Sequence, residues 1–270
     1  MTRPIRIGVQ LWPGGAPDYA TWRGAVLRAE ELGADVIFGY DHFHRPAVRR
    51  GPNGVELEPM QPDVTNFEGW TALASWAEIT TQAEIGLLVT GIGYRNPDLL
   101  ADMARTVDHI SDGRLILGIG AGWFERDYEE YGYEFGTAGG RLDKLREDMP
   151  RIEARWQQLN PPPTRKIPVL IGGGGEKKTL RIVAQHADIW HSFSDLPTLR
   201  RKRDVLAGHC AAVGRSPEEI EISVATPSGD PNQVGPPLLE AGGTLFTVAT
   251  SGPDYDLGRL KQWIAWRDSL

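Results

Sequence analysis

A closed barrel of eight parallel strands, each followed by a helix, is the fold class that this 270-residue sequence predicts. Three observations point there. Short apolar runs without polar alternation recur along the chain, as strands buried on both faces do. Amphipathic stretches with three- and four-residue spacing separate them. Eight such pairs occur, the number that favours a closed barrel over an open sheet. No internal repeat and no linker divides the chain, so residues 1–270 read as one (β/α)8 domain.

The first strand, residues 5–11 (IRIGVQL), leads to a helix over 18–32 with Trp22, Val26, Ala29 and Leu32 on one face. Residues 35–40 (DVIFGY) form the second strand; a long irregular segment and a helix over 68–80 follow. Residues 85–89 (IGLLV) form the third. Its helix opens at Asn96 and Pro97, a capping residue followed by proline at the first helical position. That helix is expected to bury Leu99, Leu100, Met103, Val107 and Ile110 and to end at Asp112 and Gly113. The fourth strand, 114–120 (RLILGIG), precedes a second long irregular segment. A helix over 141–157 carries Leu142, Leu145, Met149, Ile152 and Trp156; Pro150 inside it lacks an N–H and should kink it. Strand 169–171 is followed by a helix with Leu180, Val183, Ala184 and Ala187 on one side. Strand 188–193 pairs with a charged helix over 197–213, and strand 220–225 with a weakly helical, proline-rich stretch over 232–241. Strand 244–250 and a helix over 256–267 close the chain. The long segments after the second and fourth strands leave strand C-terminal ends, the face where barrels carry active sites, and loops of that length are uncommon without function.

Apolar residues make up 40% and charged residues 24% of the chain, ordinary for a soluble globular protein. A net charge of −7 and a pI near 5.4 argue against general nucleic-acid or anionic-membrane partners, which need a broad cationic face. Cys210 is the single cysteine, which excludes an intrachain disulfide framework and fits a reducing compartment. The chain enters a strand pattern without an apolar signal core, and no apolar run reaches membrane-spanning length; a cytoplasmic location is expected.

The stretch PVLIGGGGEKKTLRIVAQHAD, residues 168–188, breaks from strand into Gly172, Gly173, Gly174 and Gly175 and then into a helix. Glycines let backbone approach a ligand, and the helix start offers free N–H groups and a positive dipole end. The stretch reads as a phosphate seat with Lys177, Lys178 and Arg181 as nearby cations; the competing reading is a flexible strand-to-helix turn. Neither nucleotide fingerprint fits. GIGAGW has Trp123 where the dinucleotide pattern needs glycine, and GGGGEKKT lacks the glycine before lysine that a P-loop requires.

YDHFHRP, residues 40–46, places Asp41 and His42 at the mouth where the second strand should end. A carboxylate beside an imidazole holds its tautomer, so His42 is a candidate proton donor or acceptor with Asp41 as its orienting partner. A loop-capping aspartate beside a solvent-facing histidine is the plainer alternative. His42 and His44 also form an H-x-H pair suited to a metal hydrolase. Of the remaining histidines, His109, His186, His191 and His209, only His191 falls at a strand end, which leaves a metal set incomplete. Arg45, Arg49 and Arg50 share the predicted mouth with Lys177 and Lys178, so an acidic, extended ligand could touch both groups. Trp12, Tyr94, Trp123 and Phe124 fall near the same rim and together favour a flat heterocycle.

Three segments, YDHFHRP, the block from IGLLVTGIGYRNPDLL to GAGWFERDYEEYG, and PVLIGGGGEKKTLRIVAQHADIW, resemble the bacterial-luciferase-like superfamily and, within it, the branch that uses the deazaflavin coenzyme F420. The resemblance covers most of the region from the second to the sixth strand; from about residue 195 onward it offers nothing. It implies a (β/α)8 barrel with the coenzyme across the C-terminal mouth. It also implies a non-prolyl cis peptide at Leu87–Leu88 whose bulge props the ring, Thr90 at the ring's polar edge, and Asp41 and His42 as the coenzyme-contacting and catalytic pair. Gly173 and Gly174 fall within the stretch that receives the coenzyme phosphate. Trp123 and Pro46 depart from the sugar-phosphate dehydrogenases of this branch, which carry glutamate and tryptophan there, so that substrate class is in doubt.

The leading expectation is an oxidoreductase moving a hydride between coenzyme F420 and a small organic substrate, with His42 handling the proton. Gly172 to Gly175, Lys177 and Arg181 would anchor the phosphate, and Arg49 or Arg50 would meet the acidic tail. The alternatives are an FMN-dependent monooxygenase using oxygen, a barrel that binds a flavin-like molecule without turnover, and the metal hydrolase. A small-molecule substrate is the expected partner, and a homodimer is a candidate assembly.

Overall fold

The computed structural model describes residues 3–51, 54–57 and 63–270. In chain order the elements are β1 (Arg6–Trp12), α1 (Tyr19–Glu31), β2 (Val36–Gly39), β3 (Val48–Gly51), β4 (Gly54–Leu57), α2 (Gly69–Ile79), β5 (Glu84–Leu87), β6 (Thr90–Gly91) and α3 (Pro97–Ile110). There follow β7 (Leu115–Gly120), α4 (Glu125–Glu130), α5 (Ala138–Gln158), β8 (Val169–Gly172), α6 (Thr179–His186), β9 (Ile189–Ser192) and α7 (Leu196–Ala212). The chain ends with β10 (Glu221–Ala225), α8 (Pro231–Glu240), β11 (Gly243–Ser251) and α9 (Gly258–Asp268). Parallel pairing runs β1–β2–β5–β7–β8–β9–β10–β11 and returns from β11 to β1, so the sheet closes into an eight-stranded barrel with the helices outside. The predicted fold class is the observed one.

The unbroken apolar strands follow from this closure, because each strand is buried on both faces. Val36, Phe38, Ile116, Leu170, Ile189 and Leu245 fill the barrel interior. Their neighbours Ile37, Leu115, Leu117, Ile171 and Trp190 pack outward against the helices. The N-terminal end of the barrel is closed by charge: the Arg6 guanidinium pairs with both Glu84 and Glu221.

Several elements differ from expectation. The stretch after β2 contains the antiparallel pair β3–β4, and the one after β7 contains the short helix α4. Proline-rich 231–240 is a full helix, opened by Pro231 behind the Asp230 cap. In α3, Leu99 and Ile110 are 55% and 38% exposed rather than buried. The face turned to the barrel runs through Leu100, Ala101, Ala104 and Val107, because small alanines allow close approach and leave the larger residues on the flank.

The third barrel strand is split. Gly86 pairs with Ile116 and Thr90 with Ile119, so four residues of one strand oppose three of the other. The non-prolyl cis bond there is Leu88–Val89, one position beyond the expected Leu87–Leu88. The Leu88 amide still donates to Gly39 O at 2.9 Å, so the regular ladder extends through Leu88 and the extra residue enters after it. Leu87 consequently packs in the outer core and not toward the mouth.

Candidate active site

The split strand makes the floor of a cavity of about 400 Å³ at the C-terminal ends of β6, β7 and β8, a volume in the range of small-molecule sites. Leu88 and Val89 face it. Gln10 holds the bulge: its Nε2 donates to Leu88 O at 2.7 Å, while Trp12 Nε1 donates to Gln10 Oε1 at 3.0 Å. Glycines accommodate the protrusion. A Cβ on Gly118 would lie 1.8 Å from Leu87 O, and one on Gly120 would lie 2.9 Å from Val89 Cγ2. The spacing of glycines in LGIGAG is therefore that of a strand packed against a bulge, which explains why it failed as a nucleotide fingerprint.

His42 lines the same cavity, with its ring edge-on to Trp123 and Phe124. Asn66 fixes the turn by donating to His42 O and Phe43 O at 2.9 and 3.0 Å. The carboxylate that orients His42 is Asp127 on α4, whose Oδ2 lies 2.7 Å from His42 Nδ1. Expected partner Asp41 does something else. It is 1% exposed, accepts from Thr90 Oγ1, and is paired through both oxygens with Arg95. Its chain neighbour His42, in the turn beyond the end of β2, faces the cavity and Asp127 instead. Thr90 is spent on Asp41, and neither residue lines the cavity.

Asp127 is a hub. Besides His42 it accepts from the His44 backbone amide at 3.1 Å and from the Tyr94 hydroxyl at 2.9 Å, and its Oδ1 lies 3.0 Å from His44 Nδ1. Burial opposes its charge, but the bonds from His42, His44 and Tyr94 outweigh that and hold the carboxyl below the ordinary range. An ionised carboxylate only accepts, so His42 carries its proton on Nδ1 when neutral. Its Nε2 has no protein partner among the described residues. The H-x-H pair thus converges on a carboxylate, and no group of three or more His, Cys, Asp or Glu among the described residues could hold a metal ion.

The far wall is the glycine stretch. Gly172, Gly173 and Thr179 line the cavity, whereas Gly174 and Gly175 do not. Gly173 has φ +125°, a conformation that L side chains rarely adopt, and Trp190 Nε1 donates to its carbonyl at 2.7 Å. Helix α6 begins at Thr179 without a side-chain cap, unlike α1, α2, α3 and α5. The expected cations stand elsewhere. Lys177 and Arg181 are exposed and line no part of the cavity, and Lys178 is bound to Asp143 at 2.8 Å. They sit on the outer side of the turn, since α6 buries Leu180, Ile182 and Val183. Lys202 from α7 stands beside the glycine stretch at Gly174, outside the cavity lining. Its Nζ donates to Ser194 Oγ at 3.1 Å and lies 2.4 Å from where a Gly174 Cβ would be; burial lowers its pKa. The cation that does line the cavity is Arg141, fixed by the carbonyls of Gly122 and Phe135 and by the Phe135 ring. Both cations come from helices distant in sequence, so no local motif announced them.

Of the rim aromatics, Tyr94 and Trp123 line the cavity, Phe124 backs His42, and Trp12 packs on Tyr40 instead. Arg45 is exposed and reaches Ser251; the side chains of Arg49 and Arg50 lie outside the described residues.

A parallel barrel with its cavity among the C-terminal strand ends is the frame on which barrel enzymes build their sites. The chain belongs to the luciferase-like monooxygenase family, which residues 4–228 match. An uncharacterized protein of Mycobacterium bovis is 26% identical over 222 residues, covering 74% of this chain and 78% of its own. Among solved structures, an F420-dependent secondary alcohol dehydrogenase bound to an F420–acetone adduct superposes with a TM-score of 0.79 at 15% identity, over 99% of this chain and 98% of its own. The FMN-bound oxygenating constituent of 3,6-diketocamphane monooxygenase from Pseudomonas putida superposes with a TM-score of 0.64 at 16% identity, over 84% of this chain and 68% of its own. At such identities these likenesses establish the fold. No helix among the described residues is long and apolar enough to cross a membrane.

Proposed function

We propose that the protein is an oxidoreductase that moves a hydride between coenzyme F420 and a small organic substrate at the barrel mouth. The observation that carries this reading is the sharing of one cavity by His42, the Leu88–Val89 ledge and the glycine wall at Gly172 and Gly173. These residues suit a flat, anionic ring system. Side-chain-free positions border the apolar ledge, and a Cβ on Gly172 would crowd Val89 at 3.2 Å. Beside them, α6 starts at Thr179 without a side-chain cap; the Leu180 amide is taken by Gly175 O at 3.0 Å, so a phosphate would meet the amides that precede it.

When bound, the deazaflavin supplies a hydride-carrying carbon at the centre of its ring. The chain supplies the rest. Leu88 and Val89 would support the ring face, and Gly172, Gly173 and Thr179 at the start of α6 would hold the phosphate. His42 takes or gives the proton at Nε2, held by Asp127 at Nδ1. Asp41, clamped by Arg95 and Thr90, braces the strand end behind the wall.

The FMN-dependent monooxygenase remains the second reading, favoured by the FMN-bound structural neighbour. Fluorescence titration of the purified protein with each coenzyme separates the two. Saturable binding of F420 in preference to FMN is expected; tighter FMN binding would favour the monooxygenase, and binding of neither would overturn both.

A further inference from the structure

The hub around Asp127 contains a second histidine that the proposed hydride chemistry leaves unused. His44 meets a carboxylate at each ring nitrogen: Nδ1 lies 3.0 Å from Asp127 Oδ1, and Nε2 lies 2.9 Å from Glu130 Oε2. Ionised carboxylates only accept, so both contacts are hydrogen bonds only when His44 carries both ring protons. His42, on the other oxygen of Asp127, needs a proton on Nδ1 alone. One carboxylate therefore joins an imidazole in the cavity wall to another that leans on Glu130, whose side chain is 48% exposed.

We propose that His42 and His44 exchange a single positive charge across Asp127, so that a proton accepted in the cavity is matched by one released at the surface. The inference rests on the reading of His42 as the proton-handling group. A proton leaving a substrate hydroxyl binds His42 Nε2, and that ring becomes cationic. The proton on His44 Nε2 passes to Glu130 and then to water, which leaves His44 neutral. The charge of the hub is the same before and after, and Asp127 stays ionised throughout. Run backwards, the same exchange delivers a proton to the cavity.

The surroundings favour one cation at a time. Two imidazolium rings on one carboxylate repel, which couples their protonation. Around His42 the neighbours are Asp127 and the rings of Tyr40, Trp123 and Phe124, with Arg141 on the same cavity wall. Around His44 stand Asp127 and Glu130. Glu130 is held by Arg126, which also pairs with Asp63, and Tyr94 donates to Asp127.

Long-range 1H–15N NMR on the whole protein at neutral pH, with no ligand added, reads each ring nitrogen directly. His42 is expected with its proton on Nδ1 only and His44 with protons on both nitrogens. In His44→Gln the charge moves, and the unprotonated Nε2 signal of His42 is lost. Glu130→Gln, a substitution at an exposed position outside the core, shifts the His42 and His44 signals in opposite directions and serves if His44→Gln does not fold. His42 unchanged in these variants, or protonated on Nε2 in the parent protein, would overturn the exchange. Failure to bind F420 would overturn the functional reading and leave this spectrum standing, so the two fail separately.

Discussion

His42 reaches the cavity with one nitrogen already committed, and that commitment decides what the other can do. Asp127 fixes Nδ1–H, so a neutral His42 presents a lone pair at Nε2, the form suited to accept a hydroxyl proton. Replacing His42 with alanine should leave coenzyme affinity within about tenfold while turnover falls on the order of 10²-fold or more, a general acid–base loss. Steady-state kinetics beside a binding titration checks this, and equal activity in the variant would remove His42 from the mechanism. His42 was legible in the sequence because YDHFHRP places it at a strand end. Its partner was not. Asp41 adjoins His42 in the chain but is held by Arg95 and Thr90, and Asp127 comes from a helix about 85 residues later.

Among the elements, the split third strand does the most to shape the mouth. Its extra residue pushes Leu88 and Val89 into the cavity, and β7 yields to it only where glycine stands. Alanine at Gly118 would put a Cβ against the Leu87 carbonyl, and backbone cannot swing aside as a flexible side chain does. We expect Gly118→Ala to cost about 1–3 kcal/mol of stability, the usual range for overpacking, and to weaken coenzyme binding as the ledge retreats. Thermal unfolding and the same titration test it; unchanged binding would show that the ledge is not part of the seat. The glycine stretch after β8 was legible as a strand-to-helix turn, and it does border the cavity, but the cavity's cation was not legible. Lys177 and Arg181 are near in sequence and face outward, while the cation that lines the cavity, Arg141, arrives from α5.

At the scale of the molecule, strand and helix order was readable because burial on both faces removes alternation from the strands while the helices keep their apolar stripe. What could not be read was which outer residues meet across the mouth, since that depends on closure between β11 and β1 and on segments such as α4 that carry little periodicity of their own. The barrel sets His42 and the start of α6 on one cavity, with the Leu88–Val89 ledge between them. The most direct test is a crystal structure of the protein with bound F420. The ring is expected over Leu88 and Val89, its phosphate within hydrogen-bond reach of backbone amides at residues 173–179, and His42 Nε2 facing the substrate side. A coenzyme bound elsewhere, or a phosphate turned away from those amides, would contradict that placement.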